Sequence, residues 1–158
     1  MRTIHNDPVR PLLAADIPPL ATVIDATGLF PGGLLTDMAA PYLAGRGADH
    51  HWWTYDAGAP MGVAYAAPEP MTDATWNLLL IAVDPARHGV GIGRAMIARI
   101  EADLSGLGAR LLLIETSSLP EFDRTRRFYR AQGYGQEAVI RDYYRAGEGK
   151  IVFAKPLR

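Results

Sequence analysis

The chain contains no cysteine. That single absence excludes disulfides, thiolate metal sites and a cysteine acyl-enzyme, and no metal centre is expected. No apolar run approaches the ~20 residues that a membrane helix needs. Met1–Pro8 holds no apolar signal core, so a cytoplasmic location without a membrane partner is the expectation. Basic blocks and interleaved aromatic–basic stretches are also missing, and no nucleic-acid partner is expected.

Positive charge is scarce in one half only. Residues 11–75 hold one base, Arg46, against seven acids: Asp16, Asp25, Asp37, Asp49, Asp56, Glu69 and Asp73. Residues 76–158 hold thirteen bases against nine acids. The basic half suits a polyanionic ligand and the acidic half a cationic one. With 158 residues, 49% of them hydrophobic and 21% charged, the chain reads as one globular domain over 1–158.

Apolar alternation and turn residues predict strands at Val9–Leu13, His51–Tyr55, Met61–Ala66, Trp76–Val83, Leu111–Thr116, Ala138–Tyr144 and Lys150–Ala154. Helices are predicted from an Asp16 N-cap to Gly28, over Leu34–Leu43 with a break or bend near Pro41, over Ala95–Leu104, and over Phe122–Gln132. The order is β-α-α-β-β-β-α-β-α-β-β, an α/β chain with a mixed sheet. Trp76–Val83 is apolar on both faces and expected to be buried.

The most informative stretch is Val83–Ala95, which reads as the end of a strand, a glycine-rich turn and a helix start. Gly89, Gly91 and Gly93 at alternate positions free the backbone and let a ligand approach its N–H groups. The first turn of a helix leaves about four N–H groups unpaired under a positive dipole end. Together these make an anion cradle, with a phosphate or pyrophosphate as its usual occupant. Two known phosphate loops do not fit. Gly93 is followed by Arg94-Ala95 rather than Lys-Ser/Thr, and neither Gly89 nor Gly91 starts a Gly-x-Gly-x-x-Gly/Ala run.

The stretch resembles instead the pyrophosphate loop of the GCN5-related N-acetyltransferase (GNAT) superfamily, Gln/Arg-x-x-Gly-x-Gly/Ala, read here as His88-Gly89-Val90-Gly91-Ile92-Gly93. A second motif, Phe128-Tyr129-Arg130-Ala131-Gln132-Gly133-Tyr134, resembles the family's Phe-Tyr-x-x-x-Gly-Phe, and the element order matches from end to end. The resemblance implies an acyl-CoA N-acyltransferase fold whose sheet splays between the fourth and fifth strands. It implies acetyl-CoA as acyl donor and a primary amine, small molecule or peptide, as acceptor. The lack of cysteine favours direct transfer in a ternary complex.

The resemblance also distributes roles. Ile81, Ala82 and Val83 would line the pantetheine arm, with an oxyanion donor among the N–H groups near Ile81 or Ala82. His88, Gly89, Val90, Gly91, Ile92 and Gly93 would hold the pyrophosphate. Histidine at the usual Gln/Arg position is at most partly charged near neutral pH, so Arg87, Arg94 and Arg127 are the expected charge partners. Tyr129 matches the acid that protonates the leaving thiolate. Phe122 replaces an asparagine that contacts the cofactor in many members, and Ser117 or Ser118 is the expected substitute. Glu115 is the candidate base, because burial in an apolar strand would raise a carboxyl group. His50, His51, Tyr65 and a water chain are the alternatives. The acceptor pocket would draw on Phe30, Leu34, Tyr65, Trp76, Tyr143 and Tyr144. A non-catalytic acyl-CoA sensor on the same fold is the competing reading. The fold admits a homodimer, although the sequence marks no interface.

Overall fold

The computed structural model describes residues 6–157. Residues 1–5 of the N-terminal stretch, and residue 158, lie outside it. The elements are β1 (Val9–Pro11), α1 (Ile17–Thr27), α2 (Leu35–Leu43), β2 (His51–Asp56), β3 (Pro60–Pro68), β4 (Thr75–Val83), α3 (Ile92–Gly106), β5 (Leu111–Ser117), α4 (Asp123–Ala131), β6 (Gly135–Arg145) and β7 (Glu148–Pro156). This is the order expected from the sequence. The strands form a seven-stranded mixed sheet in the order β1-β2-β3-β4-β5-β7-β6. β4 and β5 run parallel, as a crossover through α3 requires. β1–β2, β2–β3, β5–β7 and β6–β7 are antiparallel.

The described residues form two compact units, one of residues 6–66 with Leu80–Ile100 and the other of Ala67–Leu79 with residues 101–157. The first is built on a core of Leu12, Ile17, Leu20, Ile24, Leu35, Ala39, Trp52, Val63, Leu80 and Ala82. Ile17, Leu20 and Ile24 recur at helical spacing and give α1 one buried face. Pro18 and Pro19 sit in its first turn, where a missing N–H costs nothing, and Gly28 ends it at φ 70. Asp16 occupies the N-cap position of α1 as expected, but its side chain makes no capping bond there. Its buried carboxylate instead accepts bonds from Arg10 (2.7 and 2.9 Å), the Leu13 N–H (2.8 Å) and the Thr54 hydroxyl (3.0 Å). Arg10 also donates to Asp56 at 2.8 Å, so this network ties β1, the entry to α1 and β2 together. α2 continues through Pro41 to Leu43, because the proline falls in its last turn.

The second unit is built around β5 and β7. Leu112, Ile114, Phe153, Tyr129 and Tyr134 are buried, and the Tyr129 ring meets those of Phe153 and Tyr134. Pairing of β4 with β5 covers only Thr75–Leu78 against Leu111–Ile114. Beyond that point Leu79 is 52% exposed. The expectation of a strand buried on both faces therefore fails at Leu79, where the parallel neighbour stops. β6 is the edge strand and is exposed along its whole length.

Candidate functional site

α3 begins at Ile92, three residues earlier than its periodicity suggests, so Gly93 and Arg94 lie in its first turn. The Ala95 N–H already bonds to the Gly91 carbonyl at 3.0 Å. The N–H groups just before it are the ones a helix leaves unpaired. Gly89 (φ 82) and Gly91 (φ 89) take left-handed backbone, and a β-carbon at either would meet no protein atom within 4 Å. Open space thus faces two glycines that the backbone conformation itself demands. Arg87 and Arg94 are exposed, and among the described residues no carboxylate pairs with either.

The exposed His88 ring bonds back to β4. Its Nε2 lies 3.1 Å from the Val83 carbonyl, and since a carbonyl only accepts, Nε2 carries the proton. The Asp84 N–H bonds to Met61 O at 2.8 Å and the Asp84 carboxylate accepts from Ala86 N–H at 3.0 Å. These bonds anchor the loop's first residues to β3 and leave its glycines projecting. Ile81 and Val83 are half-buried, Ala82 is buried and Val90 is 72% exposed.

The sequence pattern does not mark the residue that lets α3 sit so close. A β-carbon on Gly62 in β3 would stand 2.8 Å from Met96 Sδ and 3.2 Å from Tyr55 Cβ. A lone glycine inside a strand pattern was the available signal.

Tyr129 on α4 is 6% exposed. Burial pushes its hydroxyl well above the ordinary tyrosine value, so the group keeps its proton across the neutral range. Arg127 is exposed, and its Nε lies 3.5 Å from the Asp123 carbonyl. Ser117 has other partners than a cofactor. Its hydroxyl donates to Glu148 at 2.7 Å and accepts from the Leu119 N–H at 3.1 Å. Ser118 is likewise engaged by the Gly149 N–H at 2.7 Å. Arg126 is buried and donates to the Ser117 and Leu119 carbonyls and to Asp123, fixing the turn from β5 into α4.

Glu115 is half-buried and engaged on both oxygens. Oε2 pairs with Lys150 Nζ at 2.7 Å, and Oε1 accepts from Asn77 Nδ2 at 3.1 Å. It is not the lone buried carboxylate that the base assignment assumed. The Lys150 ammonium also lies 4.1 Å from the centre of the exposed Tyr143 ring. Trp76 is buried opposite Leu112, which makes it a packing residue rather than an open aromatic face. Phe30 and Tyr65 both pack against the core of the first unit. Tyr65 stacks on Trp52 and its hydroxyl meets His50 Nδ1 at 2.7 Å. Asn77, Glu69 and Lys150 carry no signal in the sequence, since a polar residue shows no distant partner until the fold supplies one.

A glycine cradle at a helix start, a buried protonated tyrosine and a parallel strand pair that ends halfway are the parts expected of an acyl-CoA enzyme. A family profile described as an acetyltransferase (GNAT) domain matches residues 47–136. The chain belongs to the GNAT acetyltransferase family. It is an acyltransferase by that membership, and acetyl-CoA is the acyl donor of the family. A solved structure from Desulfovibrio desulfuricans, described as a GNAT-family acetyltransferase, is 32% identical with a TM-score of 0.88, over 95% of this chain and 98% of that one. The yncA protein of Salmonella typhimurium, solved with its cofactor acetyl-CoA, shares the fold at 16% identity and TM-score 0.73, over 95% and 93% of the two chains. Serotonin N-acetyltransferase 2, chloroplastic, of Oryza sativa subsp. japonica is 33% identical over 82 residues, 51% of this chain but only 37% of the rice protein. The match therefore spans little more than a third of that relative. Among the described residues no helix is long and apolar enough to cross a membrane.

Proposed function

We propose that this GNAT chain, acting as one catalytic domain over residues 1–158, transfers an acetyl group from acetyl-CoA directly to a primary amine in a ternary complex. The observation that carries the reading is the left-handed pair Gly89 and Gly91, open to solvent at the start of α3. Acetyl-CoA would supply a thioester carbonyl open to attack by an amine. The chain's own part is to hold and to protonate. The N–H groups of the first turn, with Arg87 and Arg94, bind the pyrophosphate. Ile81, Ala82 and Val83 offer main-chain groups to the pantetheine arm, although the Val83 carbonyl is shared with His88. Tyr129 Oη holds the proton that a departing thiolate needs.

Two groups can take the acceptor's proton, Glu115 and the hydrogen-bonded pair His50–Tyr65. Glu115→Gln and His50→Gln separate them by which one abolishes amine-dependent thiol release while acetyl-CoA binding is kept. A cytoplasmic site of action and a homodimer belong to the same reading. The rice relative's name points to a small amine as acceptor class. The test is CoA-thiol release from acetyl-CoA with a panel of primary amines. Amine-dependent release supports the reading. Tight acetyl-CoA binding with no release for any amine would replace it with the non-catalytic sensor.

A further inference from the structure

Glu69, on the turn after β3, and Glu115, on β5, are bridged by one amide. Asn77 Nδ2 donates to Glu69 Oε1 at 2.8 Å and to Glu115 Oε1 at 3.1 Å. Both N–H bonds of that amide are used on carboxylates. Its carbonyl oxygen, Oδ1, is buried in a residue only 3% exposed and has no donor. Such a buried orphan is destabilising unless something satisfies it. The charges are unbalanced as well. Lys150 pairs with Glu115, while among the described residues no cation pairs with Glu69. Two carboxylates against one ammonium leave the cluster one positive charge short. Water could satisfy Asn77 Oδ1 but not the missing charge. An alkylammonium group satisfies both, since its N–H bonds can go to Oδ1 and to the free oxygen of Glu69. The cluster opens to solvent, because Glu69 and Glu115 are half-buried and Tyr143 is 51% exposed.

We infer that Glu69 and Asn77, beside the Glu115–Lys150 pair, bind a cationic alkylammonium group of the acceptor, distinct from the amine that is acetylated. The two cannot be the same nitrogen. An ion pair to a carboxylate favours the protonated amine, whereas transfer to nitrogen requires the free base. The acceptor class is therefore a diamine, or an amine carrying a second basic centre. The cluster lies where β4 and β5 stop pairing, with Asn77 and Glu115 flanking the last pair, Leu78–Ile114. The inference rests on the transferase reading for its kinetic test but not for its binding test.

Calorimetry with α,ω-diaminoalkanes of three to six carbons, against neutral α,ω-alkanediols of the same length, measures the site directly on the unliganded chain. At least one diamine should bind about tenfold more tightly than its diol, the value of one charged hydrogen bond. In Glu69→Gln that ratio should fall to near one. Where acetyl transfer is observed, a diamine should show a KM about tenfold below that of the monoamine of the same length, and Glu69→Gln should remove the difference. Equal binding of diamines and diols, or a preference that survives Glu69→Gln, overturns the inference. Transfer with no diamine preference would sink this site while leaving the transferase reading intact. Diamine binding lost in Glu69→Gln, with no transfer to any amine, would do the reverse.

Discussion

Met96 Sδ lies 2.8 Å from the point where a β-carbon on Gly62 would stand. A larger residue at position 62 would therefore have to displace the Met96 side chain at the start of α3. Met61, the neighbouring residue, holds the Asp84 N–H at the head of the glycine loop. The same stretch of β3 therefore sets both ends of the loop. Gly62→Ala should cost about 1–2 kcal/mol by overpacking and should weaken acetyl-CoA binding without touching the loop. Gly62→Ala with Met96→Ala should be less destabilised than the sum of the two single changes, read from urea unfolding midpoints. Additive losses would mean that the contact does not set the helix position.

Tyr129→Phe keeps the ring contacts with Phe128, Tyr134 and Phe153 and removes only the hydroxyl. Thiol release at saturating substrates should fall on the order of 10²-fold, with an unchanged melting temperature. Because burial raises the tyrosine, the wild-type rate should show no alkaline limb from this group below pH 10. An unchanged rate would leave Tyr129 a packing residue.

Asp16 sets the acid stability of the first unit. Burial alone would raise its carboxyl, but Arg10, the Leu13 N–H and Thr54 outweigh it and hold it below its ordinary 3.8. A carboxyl lowered in the folded state stabilises the fold above the unfolded value and loses that contribution as pH falls through the folded one. Asp16→Asn should cost about 1–3 kcal/mol at pH 7, since it removes the charged acceptor of Arg10, the Leu13 N–H and Thr54 while Arg10 keeps Asp56. It should also flatten the loss of stability below pH 4. Chemical denaturation from pH 7 to pH 2.5 measures both effects, and an unaltered acid limb would show that another carboxylate governs it.

Periodicity and punctuation made most of this fold legible. Gly28, the loop glycines and the Phe-Tyr-x-x-x-Gly-Tyr run each carry a local signal, and each lies in the element expected. What stayed hidden depends on partners distant in sequence. Asp16 looks like a helix cap, but Arg10 and Thr54 draw its side chain inward. Ser117 looks available to a ligand, but Glu148, brought beside it by the β5–β7 pairing, takes its hydroxyl. Glu115 looks like an isolated buried carboxylate, and strand order alone supplies Lys150 and Asn77. Leu79 shows the same limit for burial, because an apolar run does not show where a neighbouring strand stops pairing.

The central claim, that the cradle at Gly89–Arg94 holds the pyrophosphate of acetyl-CoA, is tested most directly by calorimetric titration of the purified chain with acetyl-CoA, NADH and ATP in parallel. Wild-type protein should bind acetyl-CoA at about micromolar affinity, near −8 kcal/mol, and NADH and ATP far more weakly. Gly91→Glu, which places bulk and negative charge in open space at φ 89, should abolish that binding. Equal affinity for all three ligands, or acetyl-CoA binding that survives Gly91→Glu, would contradict the account.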